Sequence, residues 1–392
     1  MLNATSIHTF EIDDISLACK ELKAQLREKL PLLRNTVGIV QCDPEFIEAG
    51  ILEPVYKELG IPLVGGTTAA TATNIASGSL MFSILVLTSD DAEFAVSHTT
   101  GLSDDYAGAI TNSLGASLAA SKNQLRLALV FPPIIEKQSG DCYIDAFESV
   151  CGKVPIFGAN PADHKYPDYG CCLAICNDKA LPREMSYVLL SGEVNPRFLI
   201  AAVPPQANIE ASEAVITRAT DNTVFEINNM TAFEYMESLG LVAGGSFKSG
   251  DGLLLPLLVT VDNAENPRPF VRALIDIYED GSAEFSGNTP TGAHIVFGSN
   301  NNDDVMSTTT QTAVNASGEK DVNAALIFSC IFRQIVVGVD STKEFKQIQN
   351  IFPADIPFTA SYVNGEFSPT SITGENTAQN RYHNYSLIIC LL

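Results

Sequence analysis

The stretch Ile61-Pro62-Leu63-Val64-Gly65-Gly66-Thr67-Thr68 sets the reading of this chain. Proline has a fixed φ and no N–H to give a ladder, so it suits the first residue of a strand. The apolar pair that follows reads as strand core, and the two glycines allow close backbone approach in a turn. The same order returns at Val154-Pro155-Ile156-Phe157-Gly158-Ala159-Asn160 and, shortened, at Ile356-Pro357-Phe358.

Working outward, each copy sits in the same company. Ahead of the first, Asp13 or Asp14 caps a helix whose Ile15, Ala18, Cys19, Leu22 and Leu26 fall at helical spacing before Pro31. A strand at 37–42 follows, then Asp43-Pro44 opens a second helix carrying Phe46, Ile47, Ile51 and Val55. Strands at 79–88 and 93–98 close this unit. The second unit repeats the order, with a helix from Ser103 or Asp104 to about 120, a strand at 125–131 and a helix at 141–150. Strands at 170–176, 187–191 and 198–203 complete it. In the third, a helix begins at Asp303 or Asp304, and strands at 324–331 and 382–391 flank a helix at 341–351. The spacing predicts an α/β protein of duplicated α-β-α-β-β units with mixed sheets. Residues 204–300 differ: they open on Pro204-Pro205 and become strand-rich. This places a boundary near 205–212 and gives a two-region architecture. Residues 1–210 hold two subunits, about 10–100 and 101–205, and 211–392 form the second region.

Composition narrows the function. The 392 residues are 46% hydrophobic and 18% charged, enough to build a large core. Forty-six acids against 23 bases leave a net charge of -23. With no basic run, nucleic acid and an anionic membrane surface are excluded as partners. No apolar run approaches the roughly 18 to 20 residues of a membrane span, and no secretory signal opens the chain. Nine cysteines without repeating spacing read as reduced thiols, which gives a cytoplasmic expectation.

Familiar catalytic signatures are missing. Gly244-Gly245-Ser246-Phe247-Lys248-Ser249 lacks the glycine that a P-loop needs before its lysine. The five histidines show no metal spacing, and no catalytic residue, metal or cofactor is expected. Candidate ligand residues lie instead in loops leaving strands, where crevices form in alternating sheets. Gly65, Gly66, Thr67 and Thr68 form one such loop, or a plain tight turn. Asn160 and Asp163 hold the comparable place in the second unit. In the third, Cys330 ends a strand and Arg333 follows, placed to meet a ligand carboxylate or to form a structural salt bridge. Asn364 and Glu366 lie in a turn, and His383 and Asn384 open the last strand. These polar groups could also make a structural hydrogen-bond network.

These residues resemble the FIST family, named for F-box and intracellular signal transduction proteins. Asn364-Gly365-Glu366-Phe367-Ser368-Pro369 followed by Tyr382-His383-Asn384 is similar to its C-terminal signature, and Cys330 with Arg333 resembles its cysteine and arginine after a core strand. Val64-Gly65-Gly66-Thr67-Thr68 and Phe157-Gly158-Ala159-Asn160-Pro161-Ala162-Asp163 resemble its two glycine loops, with a departure at Ala159, where the family more often has a second glycine. The resemblance runs from about residue 30 to the end. It implies a sensory protein that binds a small ligand, with an amino acid or other small carboxylate as the expected ligand. No kinase, cyclase or F-box segment is recognisable, so a signalling partner in trans is expected. The alternatives are an enzyme using Cys330 or His383 on a small metabolite, which predicts a thiol of depressed pKa, and a protein-interaction scaffold.

Overall fold

The computed structural model describes residues 2–102, 105–120, 123–135, 139–164, 169–206, 214–242, 255–261, 269–338, 340–370 and 379–392. The expected helix start at Ser103 or Asp104 and the segment Gly244–Ser249 lie outside them.

The first unit runs β1 (Leu2–Thr9), α1 (Ile15–Lys29), β2 (Asn35–Cys42), α2 (Pro44–Glu48), α3 (Leu52–Leu59), β3 (Leu63–Thr67), a hairpin of β4 (Thr71–Thr73) and β5 (Ser77–Gly78), and β6 (Phe82–Ser89). The second runs β7 (Ala92–His98), α4 (Tyr106–Ala120), β8 (Leu125–Phe131), α5 (Asp141–Cys151), β9 (Ile156–Asn160), a hairpin of β10 (Ala174–Cys176) and β11 (Lys179–Leu181), and β12 (Ser186–Gly192). The third opens with β13 (Arg197–Ala201) and is then interrupted. The interruption holds β14 (Ala214–Thr220), β15 (Thr223–Ile227), β16 (Met230–Thr231), α6 (Ala232–Ser238), β17 (Pro256–Thr260), β18 (Phe270–Ile277), β19 (Ala283–Phe285) and β20 (His294–Phe297). The unit resumes with α7 (Asn302–Ser317), β21 (Ala325–Cys330), α8 (Ile331–Val337), α9 (Lys343–Ile351), β22 (Phe358–Val363), a hairpin of β23 (Gly365–Thr370) and β24 (Gln379–His383), and β25 (Leu387–Leu391).

Local chemistry explains these elements. Asp14 caps α1 by accepting from the Leu17 N–H, and Ala18, Cys19, Leu22 and Leu26 are its buried face, as the spacing predicts. The proline that opens each repeat works through its carbonyl. Pro62 accepts from Gly38, Pro155 from Ala128 and Pro357 from Ala325, at 2.9, 2.9 and 3.0 Å, and each bond starts a parallel ladder. Proline lacks only an N–H, which that position does not need. Gly65 and Gly158 serve strand packing: a Cβ there would stand 1.9 Å from the carbonyl oxygen of Val40 or Val130.

The three sheets have one plan. Their orders are β1-β6-β2-β3-β10-β11, β7-β12-β8-β9-β23-β24 and β13-β25-β21-β22-β4-β5. Four strands come from one unit and the last two are a hairpin from another. The second unit's hairpin extends the first sheet, the third's extends the second and the first's extends the third, so the exchange closes a ring. At its centre, Thr67 O accepts from Ala162 N (2.9 Å), Asn160 O from Asn364 N (3.2 Å) and Tyr362 O from Ala69 N (3.3 Å). The inner faces of all three sheets meet in one core, where Ile39, Val64 and Leu85 join Phe131, Phe157 and Val188, and Phe328, Val363 and Ile388. Phe328 contacts the rings of Phe131 and Phe157 at 6.0 and 5.5 Å. The outer faces are covered by each unit's own helices.

The interrupting segment is a closed antiparallel barrel. Its strands follow the order β14-β20-β17-β18-β19-β15, and β15 pairs back to β14. Its core includes Ile216, Leu257, Val259, Leu274 and Phe285, with Tyr235 and Met236 from α6. The strand at 197–201, which by its place in sequence reads as a strand of the second unit, pairs with β25 and belongs to the third sheet. Closure removes the exposed edges that such short strands would otherwise carry.

Candidate functional site

The carboxyl ends of the parallel strands β21 and β22 are where chemistry gathers. Cys330 ends β21, and its N–H donates to Ser386 O at 2.9 Å, which seats the turn between β24 and β25 beside it. Within that turn Tyr385 adopts φ 59°, a left-handed conformation unusual for a bulky side chain and a mark of a constrained site. Its ring lies 5.9 Å from Phe332.

Beneath these residues lies a buried ion pair. Arg333 Nη2 and Nε donate to Glu344 Oε1 at 2.8 and 3.1 Å, and Arg333 Nη2 also donates to Thr309 Oγ1 (2.8 Å) and Val305 O (3.1 Å). Thr309 Oγ1 donates to Glu344 Oε1 at 2.5 Å and Ser329 Oγ to Oε2 at 2.7 Å. Both charged side chains are fully buried. Burial works to raise the Glu344 pKa, but the Arg333 charge and the hydrogen bonds from Thr309, Ser329 and Arg333 outweigh it and hold it below the usual value. The structural salt bridge is therefore what Arg333 chiefly makes, with a partner on the following helix. One edge of the guanidinium is left over.

That edge belongs to a larger set. Arg333 Nη1, Tyr362 OH, Tyr385 OH, Asn384 Oδ1 and both carboxyl oxygens of Glu366 are buried and make no hydrogen bond of good geometry among the described residues. Glu366 feels Cys330, Arg333 and Glu344; Tyr385 feels Cys330 and Arg333; Tyr362 feels Glu344 and Arg333, so the groups share one neighbourhood. Buried polar atoms are nearly always partnered, and six in one place make a buried polar cluster, here termed the chamber. Burial drives the Glu366 carboxyl well above the ordinary glutamate range, while the Cys330 thiol and the Ser386 N–H pull weakly the other way. Burial thus favours the neutral form of Glu366, which can donate as well as accept. Burial, reinforced by Glu366, raises the Cys330 thiol well above its ordinary value. An enzyme using that thiol as a nucleophile needs the opposite shift.

The other expected residues are placed as follows. Gly65 and Gly66 lie inside β3. Thr67 Oγ1 donates to Cys171 O (3.1 Å) and Thr68 Oγ1 to Tyr362 O (2.7 Å). Asn160 Nδ2 donates to Pro132 O at 2.9 Å, and Asn364 Nδ2 to Pro161 O at 2.7 Å. Asp163 lies 3.2 Å from His164, whose ring also approaches Asp43 at 3.3 Å. These seven stand in or just beyond the strand ends around the central ring, with Gly65, Gly66 and Thr67 in β3 and Asn160 in β9 and so not in the loop the sequence suggests. His383 stands opposite Glu366 in the ladder, with Nε2 3.1 Å from Ser368 O, and burial lowers its pKa to about 4, leaving it neutral. The structure therefore brings Cys330, Arg333, Glu366 and Asn384 to the chamber, with His383 beside it.

Tyr362, Tyr385 and Glu344 were not anticipated as site residues. Glu344 carries a signal in retrospect, since it falls beside Phe345 on the inward face of the amphipathic α9. A surface groove of about 700 Å³ along α4, lined by His98, Asn112 and Ser113 among others, contains none of the chamber groups. Two of its polar groups are engaged within the protein, His98 Nδ1 lying 2.8 Å from Glu184 and Ser113 Oγ donating to His98 O at 3.0 Å. Among the described residues no group of His, Cys, Asp and Glu forms a metal site, and no helix is long and apolar enough to cross a membrane.

Fold and site together define an α/β repeat protein with a cluster of buried polar groups at strand carboxyl ends. The chain belongs to the FIST family: the FIST N domain matches residues 36–230 and the FIST C domain residues 232–369. FIST domains are sensory domains of signal transduction. No curated protein matches the chain significantly. Among solved structures, T. maritima PurL complexed with ATP aligns over 100% of this chain and 71% of that one, at 11% identity and a TM-score of 0.20, too distant to inform fold or ligand.

Proposed function

We propose that this FIST protein senses a small polar molecule, an amino acid or other small carboxylate, held in the chamber around Glu366, Arg333, Tyr362, Asn384 and Tyr385, and passes the signal to a protein partner in trans. The observation that carries the reading is the convergence of six buried polar atoms that make no hydrogen bond of good geometry among the described residues. Arg333 Nη1, the two tyrosine hydroxyls and Glu366 in the neutral form that burial favours offer donors to a carboxylate. Asn384 Oδ1 offers an acceptor to an ammonium or amide group. The guanidinium charge is already balanced by Glu344, so orientation by hydrogen bonds, rather than net charge, governs selection.

The test exploits the same orphaned groups. Removing a hydroxyl that makes no such hydrogen bond should leave the fold intact and weaken only ligand binding. Isothermal titration and native mass spectrometry against amino acids and small carboxylates should find a binder in the wild type. Tyr385→Phe should weaken it by about tenfold, one net hydrogen bond, with unchanged melting, and Tyr362→Phe, whose hydroxyl also adjoins Glu344, should weaken it as well. Silence across the panel, or a binder indifferent to both variants, overturns the proposal.

A further inference from the structure

The chamber is closed on one side by the inserted barrel. Barrel residues Leu258, Val271 and Ala273 share a single buried cluster with Cys330, Phe332, Tyr362 and Tyr385. Val271 O accepts from Asn384 N at 3.3 Å, so the barrel's strand β18 holds the turn that carries Asn384 and Tyr385. The next residue, Arg272, is a fully buried arginine in an otherwise apolar stretch of strand. Its Nη1 donates to Tyr382 O at 2.7 Å, its Nη2 to both oxygens of Asp141 at 3.0 and 3.2 Å, and its Nε to Asn288 O at 3.1 Å. The guanidinium also lies over the Phe270 ring at 4.5 Å and the Tyr382 ring at 5.8 Å. Asn288 N donates to Asp141 Oδ2 at 3.0 Å, a second tie to the start of α5. One side chain thus joins three parts of the molecule: the barrel, the second unit's α5, and the strand leading into the chamber wall.

The chain enters and leaves the barrel at one place. Its entering and leaving segments run side by side, with Ser299 N donating to Pro204 O at 2.7 Å, Gln206 N to Phe297 O at 3.0 Å, and a bridge between Pro205 and Gly298. This pair of adjoining segments, with a Pro-Pro step and a glycine, is the covalent tether of the barrel, the place where a hinge would lie. Cys330, Glu366, Asn384 and Tyr385 are at most 1% exposed, so a ligand reaches them only if some part of this enclosure opens.

We infer that Arg272 is a positioning residue that latches the barrel, as a gate, over the ligand chamber and holds the Tyr382–Tyr385 segment in its binding geometry. Opening breaks its bonds to Tyr382 O and Asp141, frees the Asn384–Tyr385 turn from β18, and admits the ligand. Closure over a bound ligand restores them. Ligand occupancy and barrel docking are therefore linked, and the barrel surface is what a signalling partner would read. The inference rests on the chamber being the ligand site, but its test requires no ligand.

Cys330 reports the opening. The full-length protein is exposed to N-ethylmaleimide, and labelling is followed cysteine by cysteine by mass spectrometry. Each thiol is compared with itself in the wild type, so its intrinsic reactivity cancels. Cys42 and Cys390 are equally buried, under the first unit's helices and in the central core. Arg272→Ala and Asp141→Asn should speed labelling of Cys330 by about tenfold, leaving Cys42 and Cys390 at their wild-type rates. Arg272→Lys, which keeps the charge but not the forked geometry, should fall between. Should Arg272→Ala fail to fold, Asp141→Asn and Arg272→Lys read the same latch. Unchanged Cys330 labelling overturns the gate, and so does a parallel rise at all three cysteines, which would make Arg272 a general structural residue. A silent ligand titration with selective Cys330 labelling would refute the ligand and leave the gate. A ligand that binds with unchanged labelling would do the reverse.

Discussion

Glu344→Gln isolates the value of the buried ion pair at the floor of the chamber. The wild-type carboxylate takes two bonds from Arg333 and one each from Thr309 and Ser329. Glutamine keeps one acceptor oxygen and loses the charge, leaving Arg333 as an uncompensated buried cation. Breaking one side of such a pair costs about 3–5 kcal/mol. The double variant Arg333→Met with Glu344→Leu removes both charges and strands only Ser329 Oγ, since Thr309 Oγ1 also donates to Val305 O at 2.9 Å. Its cost should be about 1–3 kcal/mol, below that of the single variant, even though two residues change. Urea unfolding can be followed by circular dichroism and by tyrosine emission, because the chain has 11 tyrosines and no tryptophan. A chain with several cores need not unfold in one step, so hydrogen exchange across 302–351 should supply the local value. The sign with pH follows from the direction of the shift. The Glu344 pKa is lowered, so its stabilisation is present above the ordinary value of 4.5 and fades as pH falls below it. The deficit of Glu344→Gln should shrink there. A loss under about 1 kcal/mol at neutral pH, or a double variant as costly as the two singles summed, would refute the reasoning.

Two further outcomes follow from burial and from close packing. His383 is held neutral with a pKa of about 4 against an ordinary 6.5, so the folded state loses stability as pH falls through that window, by up to ~3 kcal/mol. His383→Gln should flatten the fall in melting temperature between pH 7 and pH 4, and parallel wild-type and variant curves would contradict the assignment. Gly65→Ala and Gly158→Ala each drive a Cβ to 1.9 Å from a backbone oxygen and should cost about 3 kcal/mol or more, seen as insoluble protein or a large loss in urea midpoint. Gly50→Ala, at φ 80° in open space, is the control and should cost about 1 kcal/mol.

Much of the repeat was legible because its signals are local. Pro62, Pro155 and Pro357 mark strand starts by a property of one residue, and the α1 face at Ala18, Cys19, Leu22 and Leu26 is a matter of spacing. The exchange of hairpins was not legible, because β4, β10 and β23 carry no residue that states which sheet they join. For the same reason β13 is indistinguishable in sequence from a strand of the unit before it. At the site, Cys330, Arg333, Glu366 and Asn384 stood out as polar groups next to apolar strands, and they meet. Asn160, Thr67, Thr68 and Asn364 have the same appearance and are absorbed by backbone carbonyls. What separates the two groups is whether a nearby main chain can satisfy them, which only the assembled fold determines. Arg333 shows the point most directly: its partner, Glu344, lies on another helix.

The ring of exchanged hairpins has a consequence for how the chain is made. Synthesis delivers the first unit's hairpin about 300 residues before β22, the strand it must join. The second sheet in turn waits for β23 and β24, which follow β9 by about 200 residues. No sheet but the first reaches its full six strands before the third unit emerges, and the first unit's β4 and β5 stay unclaimed until then. Nascent chains stalled anywhere short of β22 should therefore present a free hairpin and an open sheet edge, features that recruit chaperones or copies of themselves. An architecture that ties every repeat to the others gives up the stepwise folding that ordinary tandem repeats enjoy.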